Sequence, residues 1–227
     1  MKIKKSSKKD RFLLLVTLVN LVLVIFLTNL FLEDVRAGGV LEWMVISIFF
    51  LFVSPLFIIK KIFEEKPKDY FLQISLNVKD VIFSLWMIVI FIAVTSVFVV
   101  KLDWQDSLRV SSWVIAKDVK LMLFVNLLIV PIVVFSKEFF FRGFVMKRLM
   151  PIVGVAGAIV TQALLFLVYE LGTGGMISWK SMVLILIPNL CFGIIAYKNK
   201  SILISTILHW VYLLTIDIYF YYQFILS

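Results

Sequence analysis

The chain has 227 residues, 63% of them hydrophobic and 16% charged, with a mean hydropathy of +1.08. Those values exclude a soluble globular domain and indicate an all-α, polytopic membrane protein. The formal net charge of +9 does not point to nucleic acid, because the basic residues flank apolar runs where membrane topology needs them. The single cysteine, Cys191, stands inside an apolar run, which excludes a disulfide framework and a Cys-rich metal site and reads as a small buried hydrophobe. No polar stretch is long enough to found a second core, so residues 1–227 are expected to form one integral membrane domain.

Met1 to Arg11 is a basic arm, followed by an apolar run from Phe12 to Leu32. A secretory apolar core is only about 7–15 residues long. This run is longer and ends on Glu33-Asp34 instead of a cleavage site, which predicts a retained span. A second span is expected over about Val40 to Ile59, with Glu42 and Trp43 at the interface. Lys60 to Asp80 mixes charges of both signs with Phe63, Tyr70, Phe71 and Ile74, a pattern suited to a segment on the membrane surface that meets anionic lipid. A third span over about Val81 to Val100 leads into Lys101 to Asp118, where Trp104 and Trp113 again predict an interfacial segment. The fourth starts near Val119, kinks at Pro131 and ends at Lys147-Arg148. Pro151 restarts the chain into a fifth that reaches Glu170, and Leu171 to Gly175 reads as a turn. Ser181 to Tyr197 and the stretch from Ser201 onwards bring the total to about seven transmembrane helices. With the N-terminus cytoplasmic, seventeen of the 23 basic residues fall on the cytoplasmic side, the asymmetry that sets orientation. Trp43, Trp104, Trp113 and Trp179 then lie near the outer boundary, and abundant Lys, Phe and Ile fit a bacterial inner-membrane protein.

Phe135 to Phe144 (FSKEFFFRGF) is a charged island in a chain that otherwise avoids charge wherever it is apolar. An ionisable group at membrane depth costs about 2.5–3.5 kcal/mol on insertion scales, so it persists where it is paired or functional. Glu138 and Arg142 stand four residues apart on one helix face and can neutralise each other. At about 1.5 Å per residue, Glu138 lies roughly 16 Å above the end of its helix and His209 roughly 13 Å above the start of the last span. Glu170 lies roughly 24 Å above a helix starting near Gly154, so it joins them only through tilt or a lower start. His209 by itself reads as a buried imidazole bonded to a helix carbonyl, and Asp217 as a residue near the outer surface. Asn20, Asn126, Gln162 and Asn189 read as helix contacts.

Three segments in order resemble the motifs of the CAAX-protease and bacteriocin-processing membrane proteins, also called the Abi family, which include intramembrane glutamate endopeptidases. The motifs are Glu-Glu-x-x-x-Arg, Phe-x-x-x-His and His-x-x-x-Asn. Lys137 to Gly143 (KEFFFRG) is similar to the first, Phe166 to Glu170 (FLVYE) to the second and His209 to Leu213 (HWVYL) to the third. Pro188-Asn189-Leu190 with Gly193 resembles the helix before the third, and the family-like core runs over about residues 119–215. In active members the resemblance implies that the first Glu activates water with the second-motif His, while the third-motif His and Asn steady the oxyanion. Here Lys137 stands at the first Glu, Glu170 at the His and Leu213 at the Asn, leaving Glu138, Arg142 and His209. The chain has one His, so no other register restores the set. A Lys and a Glu in place of a Glu and a His suggest a structural ion pair of Lys137 with Glu170.

Three readings follow. The first is a degenerate, non-catalytic member that binds a membrane protein or peptide, with envelope-enzyme regulation or bacteriocin immunity as family analogies. The second is an active intramembrane endopeptidase with Glu138 or Glu170 as base and His209 as electrophile. The third is a metal site of Glu138, Glu170 and His209, for which the sequence lacks any local ligand spacing. No cofactor is expected, and the expected surroundings are membrane lipid and a membrane-protein or peptide partner.

Overall fold

The structure, a computed structural model, describes residues 8–35, 40–73, 78–97, 112–115, 117–172 and 178–226. All regular structure among them is helical: α1 (Lys8–Val35), α2 (Val40–Ile62), α3 (Val78–Ser96), α4 (residues 119–153), α5 (residues 155–172), α6 (Trp179–Asn199) and α7 (Leu203–Leu226). Five helical stretches are long and apolar enough to cross a membrane, and Leu14–Leu27 is a shorter apolar helix. The chain is therefore a multi-pass membrane protein.

Burial explains why helices so uniformly apolar still have an inside. On α1, Thr17, Asn20, Leu21 and Val24 are buried while Phe12, Leu15, Val22 and Phe26 are exposed. On α3, Ser84, Ile88, Phe91 and Thr95 face inward and Trp86, Val89 and Ile90 outward. Both stripes follow the 3.6-residue period, but small and polar residues line the inner face because lipid already solvates the apolar one. Asn20 Nδ2 donates to Ser54 Oγ at 3.0 Å, tying α1 to α2, and Asn199 Nδ2 donates to Ser84 Oγ at 3.0 Å, tying α6 to α3.

One continuous helical run covers Val119–Gly172. A straight helix of that length would reach about 81 Å, well beyond a hydrocarbon core of about 30 Å. The chain turns at Gly154, with φ 75° and ψ 174°, three residues after the Pro151 from which the sequence predicted the restart. Pro151 fits within the last turn of α4, whereas that φ/ψ pair is open essentially to glycine alone. Near the other end, the side chain of Asp118 caps α4 by accepting from the backbone N–H groups of Lys120 and Leu121. The expected disturbance at Pro131 takes the form of a widened, π-type turn over Val125–Ile129, which absorbs the missing proline N–H. A second such turn, Phe139–Val145, lies entirely buried and makes α4 the central helix.

In the segment after α2 the aromatic residues pack on protein. Phe63, Tyr70 and Phe71 are buried, and the Phe63 and Tyr70 rings stack on Phe144 of α4 with centroids 6.0 and 6.2 Å away. Two hydrogen bonds fix the strap at its far end, where Ile202 N–H donates to the Phe71 carbonyl and the side-chain Nε2 of Gln73 to the Lys200 carbonyl. Aromatic residues among charges had suggested a lipid interface, but these rings find the end of α4 instead. Ile74, Trp104 and the Trp113 side chain lie outside the described residues, as does most of the segment from Lys101 to Asp118.

Candidate functional site

The charged island forms the middle of α4, and the widened turn at Phe139–Val145 begins directly after Glu138. Glu138 and Arg142 are both fully buried, with Arg142 Nη1 3.2 Å from Glu138 Oε1. The same oxygen is 2.7 Å from His209 Nδ1, which arrives from α7. Arg142 Nη2 also donates to Asn189 Oδ1 of α6, and the guanidinium carbon stands 4.9 Å from the centre of the Phe166 ring of α5. Four helices thus converge on one ion pair. His209 was expected on a helix carbonyl. It bonds a carboxylate because its helix position brings Nδ1 to Glu138 and its ring stacks on Phe192, 4.9 Å away and 17° from parallel.

Glu170 does not enter that group directly. It pairs with Lys137, Nζ to Oε1 2.7 Å, at the edge of the cluster, where the two side chains are 12% and 20% exposed. The flexible lysine stem closes the difference in height that made Glu170 hard to place from the sequence. The Lys137 ammonium also lies 5.4 Å from the centre of the Tyr169 ring and 5.9 Å from those of Trp43 and Phe166, aromatic faces that favour a cation. Of the five residues singled out, then, the structure joins Glu138, Arg142 and His209 in one buried group and Lys137 with Glu170 in a second, adjacent pair.

Asn189 and Gln162 carry more of the site than the helix contacts expected of them. Asn189 accepts from Arg142 and donates to the Ile185 carbonyl at 2.6 Å, while Gln162 Nε2 donates to the Asn189 carbonyl at 3.0 Å. Their signal in the sequence was an uncharged amide in the middle of an apolar helix, which cannot be told from ordinary helix glue without knowing what it faces. Gly193 belongs to the same seam, since a Cβ there would sit 2.7 Å from Gln162 Nε2. Asp217 is buried and accepts from Asn126 Nδ2 at 3.0 Å, joining α7 to α4.

Chemically, a carboxylate that takes an arginine and an imidazole on one oxygen is neutralised and oriented, as a buried charge must be. Glu138 Oε2 is sealed from solvent without a hydrogen bond of good geometry, and the Ser205 hydroxyl beside the carboxylate spends its proton on the Ile202 carbonyl at 2.9 Å. Among the described residues no three of His, Cys, Asp and Glu converge as a metal-binding group, so the Glu138, Glu170 and His209 set is not assembled. No curated protein and no solved structure matches the chain. Residues 118–215, somewhat less than half of it, match the family model described as Type II CAAX prenyl endopeptidase Rce1-like, and that is the family to which this stretch is similar.

Proposed function

We propose that the chain as a whole is a member of this family in which the protease scaffold persists and its chemistry does not. It acts by binding another membrane protein or a peptide. The observation that carries this reading is the state of the two carboxylates. Glu138 is fully buried against Arg142 and His209, and Glu170 is paired with Lys137. A general base needs a carboxylate free to take a proton from water, and neither offers one. The reading includes seven crossings with the N-terminus in the cytoplasm, supported by the break at Gly154 that divides the longest helix and by the apolar Leu14–Leu27. Photocrosslinkers placed along the helices in native membranes should capture a discrete partner. A complete set that captures none removes the content of this reading.

One observation favours a second reading. A Glu138–His209 pair is itself the carboxylate–imidazole arrangement of many hydrolases, so an active intramembrane endopeptidase using these residues stands as the alternative. It requires cleaved membrane-protein termini that depend on His209.

A further inference from the structure

The tautomer of His209 can be deduced from its surroundings. A carboxylate only accepts hydrogen bonds, so the nitrogen facing Glu138, Nδ1, carries a proton. The two cations Lys137 and Arg142 balance the two anions Glu138 and Glu170. An imidazolium would add an uncompensated positive charge to that interior, which is costly. The ring is therefore the neutral Nδ1–H form, and Nε2 presents a lone pair.

That lone pair has no protein partner among the described residues. Two other acceptors of the cluster, Glu138 Oε2 and Gln162 Oε1, are also without a hydrogen bond, but both are sealed. The His209 side chain, by contrast, is 8% exposed. Phe192 and Phe166 flank the ring, so whatever reaches Nε2 passes apolar faces. The group leaves the donors Arg142 Nε and Nη1 as well as these acceptors without a hydrogen bond. Nε2 belongs to the one member of the Glu138, Arg142 and His209 set whose side chain is partly exposed, fixed in direction by Glu138.

We propose that His209 Nε2 is a recognition point for the main-chain N–H of a peptide segment that is not helical where it binds. A helical partner would have no N–H to offer in mid-membrane, because its own carbonyls take them all. An extended or unwound apolar segment carries N–H groups that must find acceptors there. This deepens the binding function above and rests on it for the identity of the partner, not for the property of the atom.

The chain contains a single histidine, so diethylpyrocarbonate modification followed by mass spectrometry of the His209 peptide reads this one nitrogen. The full protein in lipid nanodiscs should be carbethoxylated at His209 while folded. Acetyl-trileucine methylamide should slow that reaction several-fold, and its analogue with every amide nitrogen methylated should not. If His209 reacts only after unfolding, or if both peptides or neither protect it, the proposal is overturned. Protection by the first peptide alone, with no crosslinked partner in membranes, retires the partner reading and leaves the site.

Discussion

Arg142 and Glu138 depend on each other more than on anything else in the chain. Both are fully buried, and a buried pair loses about 3–5 kcal/mol when one partner is removed, because the other charge is stranded. Arg142→Met should therefore destabilise the protein by about that amount in detergent denaturation. Replacing both residues, with Glu138→Leu added, should recover most of the loss. Asn189 would then keep its Ile185 bond, and the Phe166 ring would pack on methionine instead of guanidinium. A double variant as unstable as the single one would show that the pair is held by more than charge balance. The Glu138–Arg142 pairing was legible from the i, i+4 spacing alone. His209 was brought to their level by the helical rise and to their set by the motif resemblance, but the carboxylate oxygen it bonds was not legible, because spacing along a helix says nothing of what the opposite helix presents.

The element that sequence reasoning placed least well is the strap after α2. Its three aromatic residues were visible, but the partner of Phe63 and Tyr70, Phe144, belongs to a helix more than 70 residues later, and no local pattern encodes a contact of that range. Gly143 marks the place, since a Cβ there would stand 2.8 Å from the Tyr70 carbonyl oxygen and 3.0 Å from Phe139 Cδ2. Gly143→Ala should cost about 1–3 kcal/mol through overpacking and make the strap a trypsin target at Lys68, which is exposed. Unchanged cleavage would mean that the strap shifts without detaching.

Tyr70 adds a test by pH. Its hydroxyl is pushed above the ordinary tyrosine range by burial first and by donation to Glu65 second, while Arg148 donates to both groups. A raised value means that the fold favours the neutral phenol. Its contribution is complete below the ordinary range of about 10 and declines as pH rises through the folded value. Limited proteolysis of the strap should accelerate above about pH 10, and more steeply than in Tyr70→Phe, which has no phenol to ionise.

At the scale of the whole molecule, composition alone identified a helical membrane protein, because 63% hydrophobic residues permit little else. The restart at Pro151 and a next helix starting near Gly154 were both read from the sequence, and it is the positive φ of Gly154, not the proline, that turns the chain. The charged residues at membrane depth were found because they are expensive there, whereas Asn189, Gln162 and Asp217 were undervalued because their worth depends on what they meet. The picture that results is of a protease-like core whose ionisable groups bind its helices to one another.

That central claim is tested most directly by comparing protein termini in membranes from cells carrying the natural chain with those carrying a Glu138→Gln, Glu170→Gln, His209→Ala variant at equal abundance. Identical sets of termini are expected from the proposed reading, because both carboxylates are engaged in ion pairs. Termini present with the natural chain and absent with the variant would show that the site still cuts, and would contradict the account.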